Sequence, residues 1–286
     1  MSTKTKQFYT DVYRVEGHNY GEVGSRSPSD GAPASQFAVV ERHLRELKVP
    51  PTASVLEVGC GVGHLHRCHP GWHGIEYSTT AVELARRMHG PGLAITEGDA
   101  RDLPCASGSV DFLFSFAALE HVPDVHLAFE EIGRVVRPGG WALLVPAWNC
   151  RSWTVKKLQQ RPYAELGLTE KLEKLLIPAR ENVLFRGLVA LPGRLARELR
   201  LASDREVPLD YRRLEPDFSL WDRYPHISDD DAFVSIDAHS ALVYFVSRGW
   251  TAASHPTLMR RLTCGGSEEL VRKPGVTGST GGPHSD

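Results

Sequence analysis

The stretch Ser54-Val-Leu-Glu-Val-Gly-Cys-Gly-Val-Gly63 decides the fold. Its first half, from Val55 to Val58, predicts a short buried strand that follows the Pro50-Pro51 break. Its second half alternates three glycines with other residues, which lets the backbone turn tightly and approach a ligand closely. Glu57 places a carboxylate at the carboxyl end of this strand. Because open α/β sheets bind ligands at that edge, the stretch predicts a ligand site there.

The spacing of the glycines separates the competing cofactor classes. A dinucleotide-binding loop needs Gly-x-Gly-x-x-Gly, but the third glycine comes one residue early, at Gly63, and His64 takes the expected place. No Lys-Ser or Lys-Thr follows, which excludes a phosphate-binding P-loop. An acidic loop containing Glu57 suits a positively charged ligand better than a pyrophosphate. An NAD-dependent oxidoreductase is thus disfavoured and stays open as the rival interpretation.

Composition indicates a globular protein with one large domain, or a domain with an insertion. The chain has 286 residues, 41% of them hydrophobic and 24% charged. A net charge of −2 gives no global reason to expect nucleic-acid binding. The five scattered cysteines predict a reducing compartment without a disulfide framework. No signal-peptide pattern or bilayer-length apolar stretch occurs, so we expect a cytoplasmic protein.

Strands and helices alternate in the rhythm of a doubly wound parallel α/β sheet. The predicted strands end near residues 58, 77, 97, 115 and 145, with helices at 37–47, after Ser78 and at 129–136. Only ten residues separate Gly63 from Gly74, so the first helix after the loop must be short. A last helix is expected at 236–248, followed by two closing strands at 250–256 and 269–272.

The predicted organisation has five parts. Residues 1–35 form an N-terminal segment that could act as a lid, and residues 36–147 form the core of a Rossmann-like domain. Residues 148–230 form an inserted, mainly helical cap between the fifth strand and the last helix. Residues 231–273 complete the sheet, and 274–286 form a disordered tail.

Six motifs, in order, resemble the type 11 subgroup of the class I S-adenosylmethionine (SAM) dependent methyltransferases. They are Glu57-Val-Gly-Cys-Gly-Val-Gly63, Gly74-Ile-Glu-Tyr-Ser78, Glu97-Gly-Asp-Ala100, Asp111-Phe-Leu-Phe-Ser115, Leu119-Glu-His-Val122 and Arg137-Pro-Gly-Gly-Trp-Ala-Leu-Leu144. The resemblance covers about residues 50–147. It implies a seven-stranded sheet with an antiparallel last strand, SAM as methyl donor and S-adenosylhomocysteine as product.

The resemblance implies a cofactor site at Glu57, Gly59, Cys60, Gly61, Gly63, Glu76, Tyr77, Asp99, Ala100, Ser115 and Phe116. Glu57 and the glycines would lie along the methionyl part of SAM. Glu76 would hold both ribose hydroxyls, and it lies seventeen residues after Gly59, near the distance at which βαβ folds place such an acid. Tyr77 would pack against the adenine, and Asp99, with Ala100 beside it, would accept from the adenine amino group. The last two residues would border the methionine amine and the transferred methyl group.

Histidines supply the candidate general bases. His121 follows the fourth strand, where the sheet edge faces the cofactor, and histidine titrates near working pH. In the resembling family a histidine here also serves a structural role. His226 and His239 are the alternatives. The Cys/His cluster at residues 60–73 matches no closed zinc spacing, so we predict no metal.

The insertion carries the acceptor and surface hypotheses. Its leucines at 184, 188, 191, 195 and 199 recur at helical spacing beside arginines, with a predicted break at Pro192-Gly193. A basic amphipathic segment at 180–200 suits a membrane surface or phosphates, or a cap helix that packs its leucines on the domain. Aromatic residues of the insertion could line an acceptor pocket: Trp148, Trp153, Tyr163, Phe218, Trp221 and Tyr224.

These features predict a SAM-dependent methyltransferase acting on a hydroxyl of a small molecule or glycan, such as a sugar, sugar nucleotide or secondary metabolite. Polysaccharide or natural-product biosynthesis is the expected setting. No Asn/Asp-Pro-Pro-Tyr/Phe motif occurs, which argues against nucleic-acid bases as acceptors. A carbon or nitrogen methyltransferase and a non-catalytic SAM-binding protein stay open, and the oligomeric state is not predicted.

Overall fold

The structure, a computed structural model, describes residues 34–150, 158, 161–203, 206–215, 232–266 and 268–275. Its strands are β1 (Val55–Val58), β2 (Trp72–Glu76), β3 (Ile95–Glu97), β4 (Val110–Phe116), β5 (Val136–Val145), β6 (Tyr211–Arg213), β7 (Val234–Ile236), β8 (Thr251–Ala252) and β9 (Glu269–Arg272). Its helices are α1 (Ala34–Glu46), α2 (Thr79–His89), α3 (Val125–Val135), α4 (Leu168–Glu181), α5 (Val183–Ser203), α6 (Ala238–Ser247) and α7 (Leu258–Leu262).

Seven strands form one sheet in the order β3-β2-β1-β4-β5-β9-β8. The neighbours among β1 to β5 are parallel, whereas β9 is antiparallel to β5 and to β8. The predicted Rossmann-like sheet of seven strands with an antiparallel closing strand is therefore confirmed. The order reverses between β1 and β4, and in doubly wound sheets that switch point holds the ligand.

Helices cover both faces of the sheet because its central strands are apolar on both sides. Phe112 and Phe114 point to one face, where α1 and α2 pack, and Leu113 points to the other, where α3 and α6 pack. All three side chains are fully buried. Two core layers thus hold β1 and β4 rigidly, which fixes the positions of the loops at their carboxyl ends.

The segment after the glycine loop is short, as the spacing predicts. It contains only the 3₁₀ turn His66–Cys68 before β2 begins. The helix after Ser78 also forms, and the Ser78 hydroxyl caps it by accepting from the Ala81 N–H. Met88, in the last turn of this helix, is exposed.

Two boundaries differ from the sequence prediction. The helix α3 ends at Val135, and β5 begins at Val136, so that Pro138 and the glycines after it lie inside an irregular strand start. The helix expected at 236–248 begins only at Ala238, because Ile236 belongs to β7. Asp237 ends the extended segment and caps the helix through its carboxylate.

The described part of the insertion contains two long helices and the strand β6, which pairs with β7 just after the insertion. The predicted break at Pro192-Gly193 is wrong, since α5 continues through Pro192. The interpretation that its leucines pack on the domain is also wrong. Exposed side chains include Leu188, Leu191, Leu195 and Leu199. Buried Arg194 occupies the inward face instead.

Several predictions fall outside the described residues. They are the N-terminal segment up to residue 33, His226, the aromatics Trp153, Phe218, Trp221 and Tyr224, and the tail from residue 276. Among the described helices, none combines the length and apolar character needed to cross a membrane.

Candidate cofactor-binding site

A cavity of about 690 Å³, counted with its open mouth, lies at the carboxyl ends of β1, β2 and β4. Its walls come from the loops after these strands and after β3. The lining residues are Val58, Gly59, Ile75, Glu76, Tyr77, Gly98, Asp99, Ala100, Ala117, Ala118, Leu119, His121 and Val122. Of the predicted cofactor residues, Gly59, Glu76, Tyr77, Asp99 and Ala100 are thus brought together, and His121 joins them.

Gly59 allows the loop after β1 to meet the loop after β4. It has a φ of +75°, and a Cβ built on it would lie 2.2 Å from the Ala118 Cβ. The N–H groups of Gly59 and Cys60 both donate to the Ile75 carbonyl, at 2.8 and 3.2 Å. Any other residue at position 59 would therefore push apart two walls of the cavity.

Glu76 is the central polar group of the cavity. Its Oε2 accepts from the Gly61 N–H at 2.9 Å, and its Oε1 accepts from the Ser78 N–H at 2.8 Å. The residue is buried, and burial raises its pKa although these hydrogen bonds oppose the shift. A carboxylate oxygen can accept more than one hydrogen bond. Glu76 can therefore still accept from two neighbouring hydroxyls, which suits a ribose.

Glu57 lies next to the glycine loop but does not line the cavity. Its Oε2 accepts from the indole N–H of Trp72 at 2.8 Å. Burial raises its pKa to about 8, even though the Trp72 hydrogen bond acts in the opposite direction. A buried carboxyl of this kind gains from a nearby cation. Its expected place beside the methionyl part of SAM stays a prediction.

Asp99 forms the far wall and is held by Arg101. The Arg101 guanidinium donates to both carboxylate oxygens, at 3.0 Å from Nε and 2.6 Å from Nη2. Burial alone would raise the pKa of Asp99, but the hydrogen bonds from Arg101 outweigh it and lower the pKa. Asp99 is therefore a fixed acceptor that suits an amino group. Sequence reasoning missed Arg101, which the pattern Asp-x-Arg signals only weakly.

His121 lines the cavity close to a buried carboxylate. Its Nε2 lies 3.7 Å from Oε1 of Glu120, whose side chain is fully buried. The same oxygen accepts from the Ala147 N–H at 3.0 Å. Glu120 is therefore anchored to the end of β5. It can stabilise a proton on the imidazole of His121.

Ser115 and Phe116 are placed differently from the other predicted residues. The Ser115 hydroxyl donates to the Val58 carbonyl at 2.9 Å, and Phe116 packs edge-on against Phe114. Neither lines the cavity. The wall near them is built by Ala117, which has a φ of +44°, and by Ala118. Sequence reasoning missed both alanines, because a methyl side chain carries no chemical signal.

His239 lies in a buried network away from the cavity. Its Nε2 is 3.2 Å from Oε1 of Glu198, which also accepts from the Arg261 guanidinium. Burial lowers the pKa of His239 to about 4, so the ring is neutral at working pH. This position gives His239 a structural role between α5 and α6. Its catalytic role stays an untested prediction.

Two of the histidines after the glycine loop bond backbone carbonyls. His66 Nδ1 bonds the Gly63 carbonyl at 2.9 Å, and His69 Nε2 bonds the Pro50 carbonyl at 3.1 Å. In the part of the chain that the structure describes, no three metal-ligating side chains are grouped so that they could hold an ion.

The residues present suit SAM as a ligand. A Cβ added at Gly59 would occupy the space between the loops after β1 and β4. Glu76 and Asp99 offer hydrogen-bond acceptors on two sides of the cavity. Ile75, Ala100 and Val122 supply apolar walls for a flat adenine ring. Arg101 is already engaged by Asp99 and leaves no free cation for a pyrophosphate at this wall.

Comparison with known proteins agrees with this site. Residues 56–144 match a family model described as a methyltransferase domain, of the type 11 group. The fatty-acid O-methyltransferase of Mycolicibacterium smegmatis is 31% identical over 47% of this chain and 55% of its own length. A probable chloroplastic tocopherol O-methyltransferase of Oryza sativa is 25% identical over 54% and 46%. The chain thus spans about half the length of these curated relatives.

Solved structures also resemble the chain. An amino pentose methyltransferase from Micromonospora echinaspora, solved with SAM bound, shares 26% identity over 46% of this chain and 56% of its own, with a TM-score of 0.36. The matched region of the family model contains most of β1, the glycine loop, Glu76, Asp99 and His121. By the family match, residues 56–144 form a class I methyltransferase domain of the type 11 group, whose cofactor is S-adenosylmethionine.

Proposed function

We propose that the protein transfers a methyl group from SAM to a hydroxyl of a small molecule or glycan. The observation that carries this proposal is the position of His121 in the same cavity as Glu76 and Asp99. When Glu76 and Asp99 hold a ligand, the titratable imidazole of His121 still lies within the cavity. That arrangement suits a reaction in which the acceptor must lose a proton.

SAM, when bound, supplies an electrophilic methyl group and leaves as S-adenosylhomocysteine. The chain has to hold the acceptor oxygen in line with that methyl group and take its proton. We assign the second task to His121. The hydroxyl proton would move to the imidazole as the acceptor oxygen takes the methyl group and the sulfur keeps the electrons of its broken bond to carbon. Buried Glu120 then stabilises the imidazolium, because an opposite charge nearby favours the protonated ring.

The remaining cavity residues position the cofactor. Glu76 accepts from the ribose hydroxyls while it holds the N–H groups of Gly61 and Ser78. Asp99 accepts from the adenine amino group, and Tyr77 packs on the ring. Glu57, which does not line the cavity, would lie with the glycine loop near the methionyl part. A positive charge placed there favours the ionised form of Glu57.

We assign acceptor binding to residues 148–230. This part follows β5 directly, so it leaves the sheet at the edge where the cavity opens. An oxygen acceptor is supported by the names of the relatives, which are O-methyltransferases of fatty acids and tocopherol. An amphiphilic hydroxyl or carboxyl compound therefore belongs in the test beside sugars and sugar nucleotides.

The experiment is an acceptor screen read by mass spectrometry. Purified protein is incubated with SAM and a library of sugars, sugar nucleotides, phenols, fatty acids and prenylated phenols. The proposal predicts a product heavier by one methyl group, bound through oxygen. A product methylated on carbon or nitrogen would replace the oxygen proposal. SAM binding without turnover on any acceptor would favour a non-catalytic role.

A further inference from the structure

The helices α4, α5 and α7 each expose apolar side chains to solvent. The helix α5 contacts both α4 and α7. Among its most exposed side chains are Leu188 at 69%, Val189 at 65% and Leu199 at 73%, and α4 adds Leu168 at 83%. Single exposed leucines are common on protein surfaces, but this many on neighbouring helices is typical of a contact site. We call this group the leucine face.

The leucine face is exposed because α5 is held by its polar side. Arg194 is buried and donates to Asp237 at 2.7 Å and to the carbonyls of Leu262 and Cys264. Glu198, four residues on, accepts both guanidinium hydrogen bonds of Arg261 at 2.7 Å. These contacts fix the rotation of the helix. The leucines on the opposite side therefore cannot turn inward without breaking buried ion pairs.

The charge beside the leucine face is positive. Arg186, Arg200 and Arg260 are exposed, and within the described part of the chain no carboxylate pairs with them. At about 100° of rotation per residue, Arg186 and Arg200 fall on one flank of the leucine face, about 21 Å apart along the axis. On α4 the four charges of residues 170–174 cancel. A leucine face with cations on its flank matches an anionic lipid surface.

We propose that the leucine face docks on a membrane that contains anionic phospholipids, with Arg186, Arg200 and Arg260 at the level of the headgroups. The helices lie on the surface, since none of the described ones could span it. The charge favours this occupant over a second copy of the chain. A symmetric pairing through this face would bring the unpaired arginines of both copies together at one interface. The proposal does not depend on the acceptor.

The experiment is vesicle co-sedimentation of the full chain with phosphatidylcholine alone or mixed with phosphatidylglycerol. The first variant is Leu188→Gln with Leu195→Gln and Leu199→Gln, and its matched control is Met88→Gln with Leu127→Gln, exposed residues of α2 and α3. We expect the wild type to partition onto vesicles that contain phosphatidylglycerol. The partition coefficient should fall by at least about tenfold in the first variant and stay unchanged in the control.

A second variant tests the charge. Arg186→Gln with Arg200→Gln should lower the partition by roughly fivefold per arginine, and added salt should reduce that of the wild type. The control is Arg45→Gln with Arg87→Gln, two exposed arginines on α1 and α2. Equal partition of all variants, or no partition of the wild type, would overturn the proposal. The proposal would also be overturned if light scattering showed a wild-type dimer and a monomer only for the leucine variant, because the leucine face would then be a subunit interface.

Discussion

The carboxylate of Glu76 accepts a hydrogen bond from the Gly61 N–H at 2.9 Å and so ties β2 to the glycine loop after β1. The same carboxylate holds the start of α2 through the Ser78 N–H. One buried acid therefore fixes the relative positions of the loops after β1 and β2. This geometry makes Glu76 the first residue to test.

We expect Glu76→Gln to weaken SAM binding by about tenfold to a hundredfold, because hydrogen bonds to a charged group contribute roughly 1.5–3 kcal/mol. The amide keeps the shape but offers one acceptor oxygen fewer. Glu83→Gln, at an exposed position of α2, is the matched control and should leave affinity unchanged. Isothermal titration with SAM measures both. Equal affinities would remove Glu76 from the site.

Gly59→Ala should destabilise the fold by about 2–5 kcal/mol, from the left-handed backbone and the collision with Ala118. Gly92→Ala, where a Cβ would meet nothing within 4 Å, is the control. Because the contact is between two methyl groups, the double variant Gly59→Ala with Ala118→Gly should recover part of the loss. Urea unfolding measures these four proteins and the single variant Ala118→Gly. Strictly additive losses would show that Ala118 is not the obstacle.

The pKa of Glu57, raised by burial to about 8, predicts a pH dependence of stability. The folded protein binds this proton more tightly than the unfolded chain, whose glutamate titrates near 4.5. The stabilisation is therefore complete below about pH 4.5 and is lost as pH rises through 8, at about 1.4 kcal/mol per pH unit. The variant Glu57→Gln has no titratable group at this position and therefore serves as the reference protein.

Between pH 6 and 8 the wild type should thus lose free energy of unfolding relative to Glu57→Gln. Urea denaturation of both proteins at the two pH values gives the difference directly. A constant difference would mean that the carboxyl is already ionised at pH 6.

Removal of the proposed base should affect turnover rather than cofactor binding. We expect His121→Ala to lower kcat by about a hundredfold or more and to leave the affinity for SAM within a few fold. His73→Ala, a half-buried histidine of β2 that bonds Thr96 outside the cavity, should change neither. Steady-state kinetics with the identified acceptor and titration with SAM provide the two readouts. An unchanged kcat would leave His121 a structural residue.

The ion pair between Arg194 and Asp237 should hold α5 on the domain. Asp237→Ala leaves the buried guanidinium without its carboxylate, which costs about 3–5 kcal/mol. Asp210→Ala breaks an exposed pair with Arg197 and should cost less than about 1 kcal/mol. Thermal unfolding of both variants measures the two losses of stability. Similar small losses would show that α5 is held by other contacts.

The core could be predicted from the sequence because its signals are local. The glycine spacing, the apolar strands and the acids at the strand ends all lie within a few residues of the structure they specify. Gly59 and Glu76 were therefore found, whereas Ala118 was not, since its role comes from a glycine 59 residues earlier in the chain.

The orientation of α5 could not be predicted in the same way. Leucines at helical spacing indicate an apolar face but not which way it points. Its direction is decided by Asp237 and Arg261, which lie on other elements and pair with Arg194 and Glu198. Pro192 likewise signals a break, but it is accommodated within one continuous helix. The insertion was predicted to be mainly helical, but α4 was not predicted as a separate helix, although its leucines recur at helical spacing.

The central claim is that the cavity at β1, β2 and β4 binds SAM and not a dinucleotide. Isothermal titration of the wild type with SAM, S-adenosylhomocysteine and NAD tests it most directly. The account predicts that SAM and S-adenosylhomocysteine each bind at one site per chain and that NAD gives no heat of binding. It also predicts that Gly59→Ala abolishes this binding and that Glu76→Gln weakens it. Saturable binding of NAD without a response to SAM would contradict it.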